Sequence, residues 1–528
     1  MQRLVIWLWS LLIVGCATPP ADPVRVTVLA INDFHGNLQP PRGGLRRPDP
    51  ADPGKTLSLP AGGAAVLAGA VRELSAANPN TVFVAAGDLI GASPLVSALF
   101  NDEPTVQALS QMGLVVSAVG NHEFDHGVEA LLRLQGMASF QYLSASTVDV
   151  RTGRTLLPPT WVRRFDGVPV AFIGLTLKDT PNIVVPSGVE GLRFLDEAAT
   201  VNALVPQLQA QGIRAIVLLI HEGGFPAAGP GDCPGLSGAI VPIVRQLDPA
   251  VKLVVSGHTH REYLCRIDGR LLTSAGAYGT LLTQIDLLLD RAHGGVTSVD
   301  AHNIVVSADR FAADPDIGAL VEQYETLAVP LARRVVAPLS MPLPRDEAAN
   351  GESPAGRLVA DAQLAATRDA GAQIALMNPG GLRTALTPGP DGLLRYEDLF
   401  AMQPFYNNLV TLTLTGAQLH QLLEQQWLDQ PKPRVLQVSA GFGYTWDAAR
   451  APGQRVLADS LRLNGAPVAA EQRLRVTVNS FLASGGDNFG VLKQGVERRT
   501  GVMDVDALES YLAGGGRPAA DERIRRRN

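Results

Sequence analysis

The sequence predicts an α/β fold divided into two domains, and three observations support this prediction. A chain of 528 residues is longer than a single hydrophobic core usually organises, so at least two domains are expected. Short apolar runs rich in β-branched residues alternate with segments of helical periodicity, which is typical of alternating strands and helices. Polar side chains that can bind metals follow several of these runs directly. Open α/β sheets bind their ligands at that end of the strands.

Composition and charge narrow the class of protein. Hydrophobic residues make up 46% of the chain and charged residues 18%, which is typical of a globular protein and not of a disordered one. The formal net charge of −6 gives no reason to expect a nucleic-acid polymer as a partner. Local basic loops can still bind a small anion.

Residues 1–22 are predicted to be a lipoprotein-type signal peptide with a short tether. The apolar run at residues 4–14 is shorter than a membrane span and follows a positive charge. It leads to Cys16 in a pattern that resembles a bacterial lipobox, which implies cleavage before Cys16 and a lipid on its sulfur. An ordinary secretory peptide cut near Ala17 or Ala21 is the alternative. Either reading predicts an exported protein, and the first predicts a periplasmic or outer-membrane-anchored lipoprotein that contacts the membrane only through its lipid.

Two cysteines remain, Cys233 and Cys265. In an oxidising compartment an even pair suggests one disulfide. Both lie close in sequence to candidate metal ligands, so a bridge would hold a long loop beside the site. Two separate buried thiols are the alternative.

The first strands end in acidic and imidazole side chains. A buried strand is predicted at residues 24–31 and delivers Asp33 and His35, which are two residues apart in an extended segment. They therefore point the same way and can hold one ion. The next predicted strand, residues 81–86, ends at a glycine that allows a sharp turn, and the carboxylate of Asp88 follows it.

The third strand, residues 114–119, leads into the motif Gly-Asn-His-Glu-Phe-Asp. Asn121 offers a carbonyl oxygen to a metal, His122 can donate or accept a proton, and Asp125 can orient and charge the His122 ring. The alternative is an asparagine N-cap with a surface histidine and aspartate in the first helical turn.

The later strands supply three more histidines. Residues 213–220 deliver His221, and residues 251–255 lead to His258 and His260, which again share a direction. Helices are expected at residues 63–77 and 198–211, and a further strand at residues 168–176 carries no convincing ligand.

The distribution of histidines is the strongest indication of a site. Of nine histidines, six fall in these strand-end loops: His35, His122, His126, His221, His258 and His260. The other three, His293, His302 and His420, are predicted to be solvated or satisfied by neighbours. Mixed imidazole and oxygen ligands in this number suit two divalent ions of the zinc, manganese or iron type better than calcium or magnesium.

In order, the motifs Asp-x-His, Gly-Asp, Gly-Asn-His-Glu-Phe-Asp, His-Glu and Gly-His-Thr-His resemble the signature of the calcineurin-type metallophosphoesterases. The resemblance implies a four-layer α/β/β/α sandwich over residues 23–310, with two divalent metal ions (Zn, Mn, Co or Fe). It also implies the ligands of the two ions: Asp33, His35, Asp88 and His260 for one, and Asp88, Asn121, His221 and His258 for the other. Asp88 would then bridge both ions, and His122 would be catalytic, with Asp125 holding its ring.

The second half begins after a charged helical stretch, which we interpret as a connector over residues 311–338. Pro330 should kink or end this helix early. A substrate-binding α/β domain is expected at residues 339–515 and a solvated basic tail at 516–528. Within the domain, residues 352–362 predict the start of a helix and residues 374–377 a short strand.

Three turns of the second half carry glycine, aromatic and polar side chains: residues 378–383, 402–408 and 478–487. They resemble the C-terminal domain of bacterial and animal 5′-nucleotidases. The resemblance implies the substrate contacts: Asn378 and Arg383 on the substrate, Phe405 and Phe481 on either side of the base, and Asp487 on the ribose. Arg345 matches one of two upstream arginines of that family, while Ala349 stands at the place of the other, so the preferred nucleotide stays open.

These expectations combine into one function. The resemblance implies an extracytoplasmic dinuclear-metal phosphohydrolase that releases phosphate from nucleoside 5′-phosphates by metal-activated attack of water. The partner is a small-molecule nucleotide, and closure of the two domains about the connector is expected to assemble the site. The alternatives on the same scaffold are a 2′,3′-cyclic-nucleotide phosphodiesterase, a UDP-sugar pyrophosphatase and a thiosulfohydrolase. A non-catalytic surface binding protein is the alternative from another class.

Overall fold

The computed structural model describes residues 22–41, 43–49, 52, 55–227, 229, 233–428, 430 and 432–528. Residues 1–21 lie outside the described residues, and with them all but the last residue of the predicted signal peptide and tether, including the predicted lipidation site Cys16. None of the helices within the described ranges has both the length and the apolar character that a membrane crossing requires.

The N-terminal half is built on two six-stranded mixed sheets. The first sheet runs, from edge to edge, through Val296–Val305, Leu281–Leu289, Val24–Ile31, Thr81–Ala85, Leu114–Ala118 and Gln141–Leu143. The second runs through Glu262–Ile267, Arg270–Ala275, Val251–Ser256, Ala215–His221, Val168–Thr176 and Thr160–Phe165. Two short antiparallel pairs of strands accompany them: Leu45–Pro48 with Thr56–Leu59, and Thr147–Asp149 with Leu192–Phe194.

The two sheets pack face to face, and helices cover their outer faces. Val26 and Val28 of the first sheet belong to the same buried core as Val170 and Phe172 of the second, and all four are 0% exposed. On the first sheet lie Ala64–Ala76, Leu95–Ala98, Glu103–Gln111 and Gly127–Met137, and on the second lie Glu197–Ala210 and Ile240–Gln246. Short helical turns complete this half: His122–Phe124, Thr180–Ile183 and Pro186–Val189. This arrangement confirms the predicted four-layer α/β/β/α sandwich, since each sheet buries both of its apolar faces.

The central strands of each sheet are parallel, which decides where their carboxyl ends lie. Val24–Ile31 pairs in parallel with Thr81–Ala85, and that strand with Leu114–Ala118. In the second sheet, Ala215–His221 is parallel to Val251–Ser256. The loops that follow these strands therefore leave from corresponding edges of the sandwich.

The predicted connector contains the helix Pro315–Ala332. Asp314 caps it by accepting hydrogen bonds from the backbone N–H groups of Asp316 and Ile317. The helix continues through Pro330 for two residues instead of ending before it. Ile317 packs in the core of the N-terminal half and Ala332 in the core of the C-terminal half, so the helix contributes to both.

The C-terminal half is a five-stranded mixed sheet flanked by helices. The strand order is Gln437–Val438, Ile374–Met377, Arg473–Asn479, Asn408–Thr415 and Val496–Met503. The helices are Pro354–Ala366, Tyr396–Met402, Gly416–Glu424, Ser480–Ala483 and Asp504–Ala513. Helical turns occur at Arg368–Ala370, Pro379–Gly381, Ala458–Ser460, Gly486–Asn488 and Gly490–Gln494. Smaller sheets pair Val335–Pro338 with Leu393–Arg395, and join Ala466–Pro467, Arg462–Leu463, Phe442–Asp447 and Ile524–Arg527.

The end of the chain differs from the solvated basic tail expected at residues 516–528. Ile524–Arg527 is a strand that pairs in parallel with Phe442–Asp447, and Ile524 is 0% exposed. The buried guanidinium of Arg523 donates hydrogen bonds to both carboxylate oxygens of Asp361, at 2.8 and 2.9 Å. The arginines near the end of the sequence predicted a solvated tail. Arg523 is buried instead, because the carboxylate of Asp361, which is distant in the sequence, pairs with its guanidinium.

Candidate active site

The loops after five strands bring seven predicted ligands into one space, and five of these residues have unusual backbone conformations. Their φ angles are positive: Asp33 50°, His35 46°, Asp88 49°, His258 71° and His260 55°. Residues other than glycine rarely adopt this left-handed region, and such strain is concentrated at functional sites. The sharp turns direct the side chains from the strand ends towards a common centre.

The first set of ligands, here called the Asp33 group, consists of Asp33, His35 and His260. Nε2 of His260 lies 3.2 Å from Oδ1 of Asp33. Nε2 of His35 lies 3.1 Å from Nε2 of His260. Three donor atoms that all lie within 4.8 Å of one another could hold one ion.

The second set, here called the Asp88 group, consists of Asp88, Asn121, His221 and His258. Nε2 of His221 lies 2.9 Å from Oδ2 of Asp88, and Nδ1 of His258 lies 3.0 Å from Oδ1 of Asn121. Oδ2 of Asp88 is also 3.6 Å from Nε2 of His35, which belongs to the first group. Asp88 therefore lies between the two groups, as a bridging carboxylate must.

The hydrogen bonds of two histidines direct their lone pairs to this centre. Nδ1 of His35 donates to the carbonyl oxygen of Gly91, and Nδ1 of His221 donates to that of Ala86, both at 2.8 Å. Since a carbonyl only accepts, Nε2 of each neutral ring carries the lone pair. Nε2 of His221 is buried, and its 2.9 Å contact with Oδ2 of Asp88 lacks the geometry of a hydrogen bond. Such an atom beside a carboxylate fits a metal ligand.

Electrostatics favour ionised carboxylates and mostly neutral imidazoles. Burial alone would raise the pKa of Asp33 and of Asp88, but the neighbouring histidines outweigh burial. They lower the pKa of Asp33 to about 2 and hold the pKa of Asp88 well below its usual range. Burial lowers the pKa of His258 to about 3 and that of His35 well below its usual range. These are the protonation states that bind divalent metals.

His221 is the exception among these rings. Burial alone would lower its pKa, but the adjacent Asp88 carboxylate raises it to about 10. Asp88 therefore favours the protonated form of this ring, and a metal ion at Nε2 would have to displace that proton.

His122 lies beside both groups. Its Nδ1 lies 2.7 Å from Oδ2 of Asp125, and its backbone N–H donates to Oδ1 of Asp88 at 2.9 Å. Burial lowers the pKa of His122, but Asp125 and Asp88 outweigh burial and raise it above its usual value. The ring is thus oriented by one carboxylate and suited to carry positive charge.

Glu123 connects the loop of Asp88 with the loop of Asn121 through hydrogen bonds. Its carboxylate accepts hydrogen bonds from the backbone N–H groups of Asp88 at 3.0 Å, Leu89 at 2.7 Å and Gly120 at 2.6 Å. A Cβ at Gly120 would collide with the Asp88 carboxylate, so glycine is needed there. The residue next to His122 therefore has a structural role, fixing the loop of Asp88 against the loop of Asn121.

Two residues of the C-terminal half reach this centre. The ring of Phe405 stacks on that of His122, with centroids 5.8 Å apart and an interplanar angle of 20°. The guanidinium carbon of Arg383 lies 5.8 Å from the Phe405 centroid. The charge of Arg383 also contributes to lowering the pKa of His260, after burial. The two halves thus meet at the predicted metal ligands.

The other predicted substrate residues form a network deeper in the C-terminal half. The side-chain amide of Asn378 donates to Oδ2 of Asp487 at 2.8 Å, and that of Asn479 donates to Oδ1 of Asn378 at 3.0 Å. Phe481 packs closely over Gly486, where a Cβ would collide with the ring. Nη1 of Arg345 donates to the backbone carbonyl oxygen of Leu382, the residue before Arg383, at 2.7 Å.

Sequence reasoning missed Tyr278. Its backbone N–H donates to the carbonyl oxygen of Asp33 at 2.7 Å, and its ring meets those of His260 and His35 at 5.3 and 5.9 Å between centroids. Its φ angle is 63°, a strained value for an aromatic residue. The neighbouring glycines in Gly276-Ala277-Tyr278-Gly279 were a signal of this turn.

Sequence reasoning also missed Arg434, which forms an ion pair with Asp487. The prolines around this position indicate a loop but do not indicate a contact with Asp487.

The structure contains the disulfide between Cys233 and Cys265, whose Cα atoms are 5.2 Å apart. Cys265 lies in the strand Glu262–Ile267, directly after His260, and Cys233 follows the loop of His221. The bridge therefore ties two ligand-bearing segments together.

Comparisons with known proteins relate both halves of the chain to known protein families. A family model of the calcineurin-like phosphoesterases matches residues 26–262, and a model of the 5′-nucleotidase C-terminal domain matches residues 334–494. Endonuclease YhcR of Bacillus subtilis is 29% identical over 517 residues, which cover 95% of this chain and 41% of that protein. Cell wall protein Lmo0130 of Listeria monocytogenes is 30% identical over 527 residues, which cover 90% of this chain and 65% of that protein. The chain thus spans less than two thirds of the length of these two relatives.

A solved structure is similar over nearly its whole length. The 5′-nucleotidase precursor of Thermus thermophilus superimposes with a TM-score of 0.80 at 26% identity, covering 96% of this chain and 99% of that one. The two family matches occupy most of the chain, in the order phosphoesterase domain and then nucleotidase domain. On these grounds, the chain belongs to the 5′-nucleotidase family of metal-dependent phosphoesterases.

Proposed function

We propose that this protein is a dinuclear-metal phosphohydrolase that releases phosphate from nucleoside 5′-phosphates. The observation that carries the proposal is the position of Asp88 between two groups of metal-type ligands, with His122 beside it. Phe405 and Arg383 approach this centre from the other half of the chain.

The family uses divalent metals, and the donor set fits them. We assign one ion to Asp33, His35, Asp88 and His260, and the other to Asp88, Asn121, His221 and His258. Imidazole and carboxylate ligands suit zinc, manganese, cobalt or iron. When bound, two such ions would activate the attacking water and neutralise charge on the phosphoryl oxygens.

The chain's own residues complete the site. His122, held by Asp125, would donate a hydrogen bond or proton to the phosphate or to the departing 5′-oxygen. Arg383 offers a planar fork for two phosphate oxygens. Hydrolysis breaks the bond between phosphorus and the 5′-oxygen, water supplies the new oxygen on phosphorus, and the 5′-oxygen leaves with a proton. We assign Asn378, Arg345 and Asp487 to the rest of the nucleotide.

The deciding experiment measures product formation from AMP, 2′,3′-cyclic AMP and UDP-glucose with zinc, manganese or cobalt. We expect adenosine and phosphate from AMP as the fastest reaction. A faster reaction with either of the other two substrates would assign the alternative activity on this scaffold. Failure to hydrolyse any of them would reject the proposal and favour a thiosulfohydrolase or a binding protein.

Removing either aromatic ring should weaken nucleotide use selectively. Stacking of a base on an aromatic face is worth about 1–3 kcal/mol. For Phe405→Ala and Phe481→Ala we therefore expect kcat/KM for AMP to fall about 10-fold to 100-fold. Ribose 5-phosphate, which has no base, is the matched control substrate, and in Phe481→Ala its kcat/KM should stay within about 2-fold of wild type. In Phe405→Ala it should fall as well, because this ring also packs against His122. Equal losses for both substrates in Phe481→Ala would show that this ring only supports the fold.

We also propose that the protein is exported and anchored by a lipid on Cys16. The N-terminal sequence supports this, as do the disulfide and the similarity to a cell wall protein. Cys16→Ala should move the protein from the membrane fraction to the soluble fraction of the cell envelope. An unchanged distribution would leave an ordinary secretory peptide as the explanation.

A further inference from the structure

The three side chains of the Asp33 group are not equally well fixed. Those of Asp33 and His35 are 0% exposed, whereas that of His260 is 24% exposed. Nδ1 of His35 donates to the carbonyl oxygen of Gly91, and such a hydrogen bond usually orients a metal-binding histidine. Within the described residues, Nδ1 of His260 has no hydrogen-bond partner, while its Nε2 faces Asp33 and His35. The orientation of the His260 ring therefore depends on packing.

The ring of Tyr278 supplies this packing. It meets the His260 ring edge to face, with centroids 5.3 Å apart and an interplanar angle of 81°. It also lies 5.9 Å from the His35 ring, and the two histidine rings are 5.0 Å from each other. The three rings thus form one cluster, and edge-to-face pairs at such separations attract each other.

The loop of Tyr278 is fixed to the strand end that carries Asp33. The backbone N–H of Tyr278 donates to the carbonyl oxygen of Asp33 at 2.7 Å. The buried side chain of Asn32 accepts from the N–H of Ala275 and donates to the carbonyl oxygen of Gly276, both at 2.7 Å. The same amide nitrogen donates to Oδ2 of Asp33 at 2.7 Å. These bonds set the position of the Tyr278 ring relative to the Asp33 group.

The backbone of Tyr278 is strained, which indicates that its side chain has a role. The φ angle of Tyr278 is 63°, and those of Gly276 and Gly279 in the same turn are 67° and 65°. Glycine adopts this left-handed region without strain, whereas an aromatic residue pays for it in conformational free energy. Such strain persists where surrounding contacts compensate for it. The contacts of the Tyr278 ring with His35 and His260 provide this compensation.

We propose that Tyr278 is a positioning residue for the metal ion of the Asp33 group, and that its ring holds His260 in the orientation that this ion requires. The inference rests on the proposed function only in assigning one ion to this group. The Asp88 group is fixed differently, because Nδ1 of His221 donates to the carbonyl oxygen of Ala86. Loss of the Tyr278 ring should therefore weaken the binding of one ion and not of the other.

The experiment counts zinc ions per chain by equilibrium dialysis of the full-length protein against a series of buffered free zinc concentrations. Tyr278→Gly removes the ring and suits the positive φ angle, so the turn itself is preserved. We expect one ion to require about 10-fold to 100-fold more zinc, the usual effect of removing a group that orients a metal ligand. The other ion should bind as in the wild type. Tyr278→Phe keeps the ring and should bind both ions as the wild type does.

Tyr406→Gly is the matched control, since Tyr406 also has a left-handed backbone, with a φ angle of 52°. Its ring packs against Phe400 in the C-terminal half, with centroids 5.0 Å apart. This variant should leave the binding of both zinc ions unchanged.

Three results would overturn the proposal. The first is binding of both ions by Tyr278→Gly with wild-type affinity. The second is equal weakening of both ions in Tyr278→Gly, because it would assign Tyr278 a role in the fold. The third is a loss in Tyr278→Phe as large as in Tyr278→Gly, because the hydroxyl and not the ring would then be responsible.

Failure of the proposed function looks different, because zinc binding needs no substrate. If the protein hydrolyses none of the nucleotides, a selective loss of one ion in Tyr278→Gly still supports the inference. Fewer than two ions in the wild type would reject the dinuclear assignment and this inference together. Thermal unfolding with a chelator present shows whether each variant is folded. If Tyr278→Gly is not, Tyr278→Asn replaces it with the same expectation, since asparagine also tolerates the left-handed region.

Discussion

Asp88→Ala should lose both metal ions and essentially all phosphatase activity in one step. Oδ2 of Asp88 lies 2.9 Å from Nε2 of His221 and 3.6 Å from Nε2 of His35, so one carboxylate serves both groups of ligands. Its removal also leaves the positive charge of His221 buried without its main partner. Because the ions act together, we expect turnover to fall by more than about 1,000-fold.

The measurement is metal content per chain by elemental analysis, alongside phosphate release. Asp286→Ala is the matched control, since Asp286 lies on the same sheet beside Arg25, at the end away from the ligands. The control should retain the wild-type metal content and activity. Two ions per chain in Asp88→Ala would contradict the assignment of Asp88 as the bridge.

His122→Ala should keep both ions but turn over far more slowly. Its ring lies beside the ligands, with Nδ1 fixed 2.7 Å from Asp125 and one face against Phe405. A positioned proton donor typically contributes a factor of about 100 to 10,000. We expect a loss of this size in kcat, with a smaller change in KM, because the interaction strengthens as charge develops in the transition state.

The test pairs kinetics with metal analysis. His126→Ala is the control, since this exposed histidine lies four residues further on and is outside both ligand groups. Asp125→Asn should fall between the two, because it keeps the size of the side chain but removes the charge that orients His122. Loss of an ion in His122→Ala would assign His122 to the metal ligands, which the close approach of His35, Asp88 and His122 makes a real outcome.

Much of the fold followed from local pattern. The strands Val24–Ile31, Val168–Thr176 and Ile374–Met377 begin and end where the apolar runs predict, since a buried strand needs a short run of apolar residues on both faces. The predicted helix at residues 63–77 is observed as Ala64–Ala76. The connector helix passed through Pro330, because a helix tolerates the loss of one hydrogen bond near its end.

The sequence by itself determined the family, the two-domain α/β architecture and the set of metal-type side chains at the strand ends. Parallel strands bring such ends to one edge, so the ligands could be named without knowing their distances. Only the tertiary structure decided which side chains meet around these ligands. The ring of Tyr278 packs against His260, Arg434 forms an ion pair with Asp487, and Phe405 stacks on His122. The physical reason is that these contacts join residues far apart in the chain. Sequence periodicity reports the local path of the backbone, whereas such contacts depend on how whole layers pack against one another.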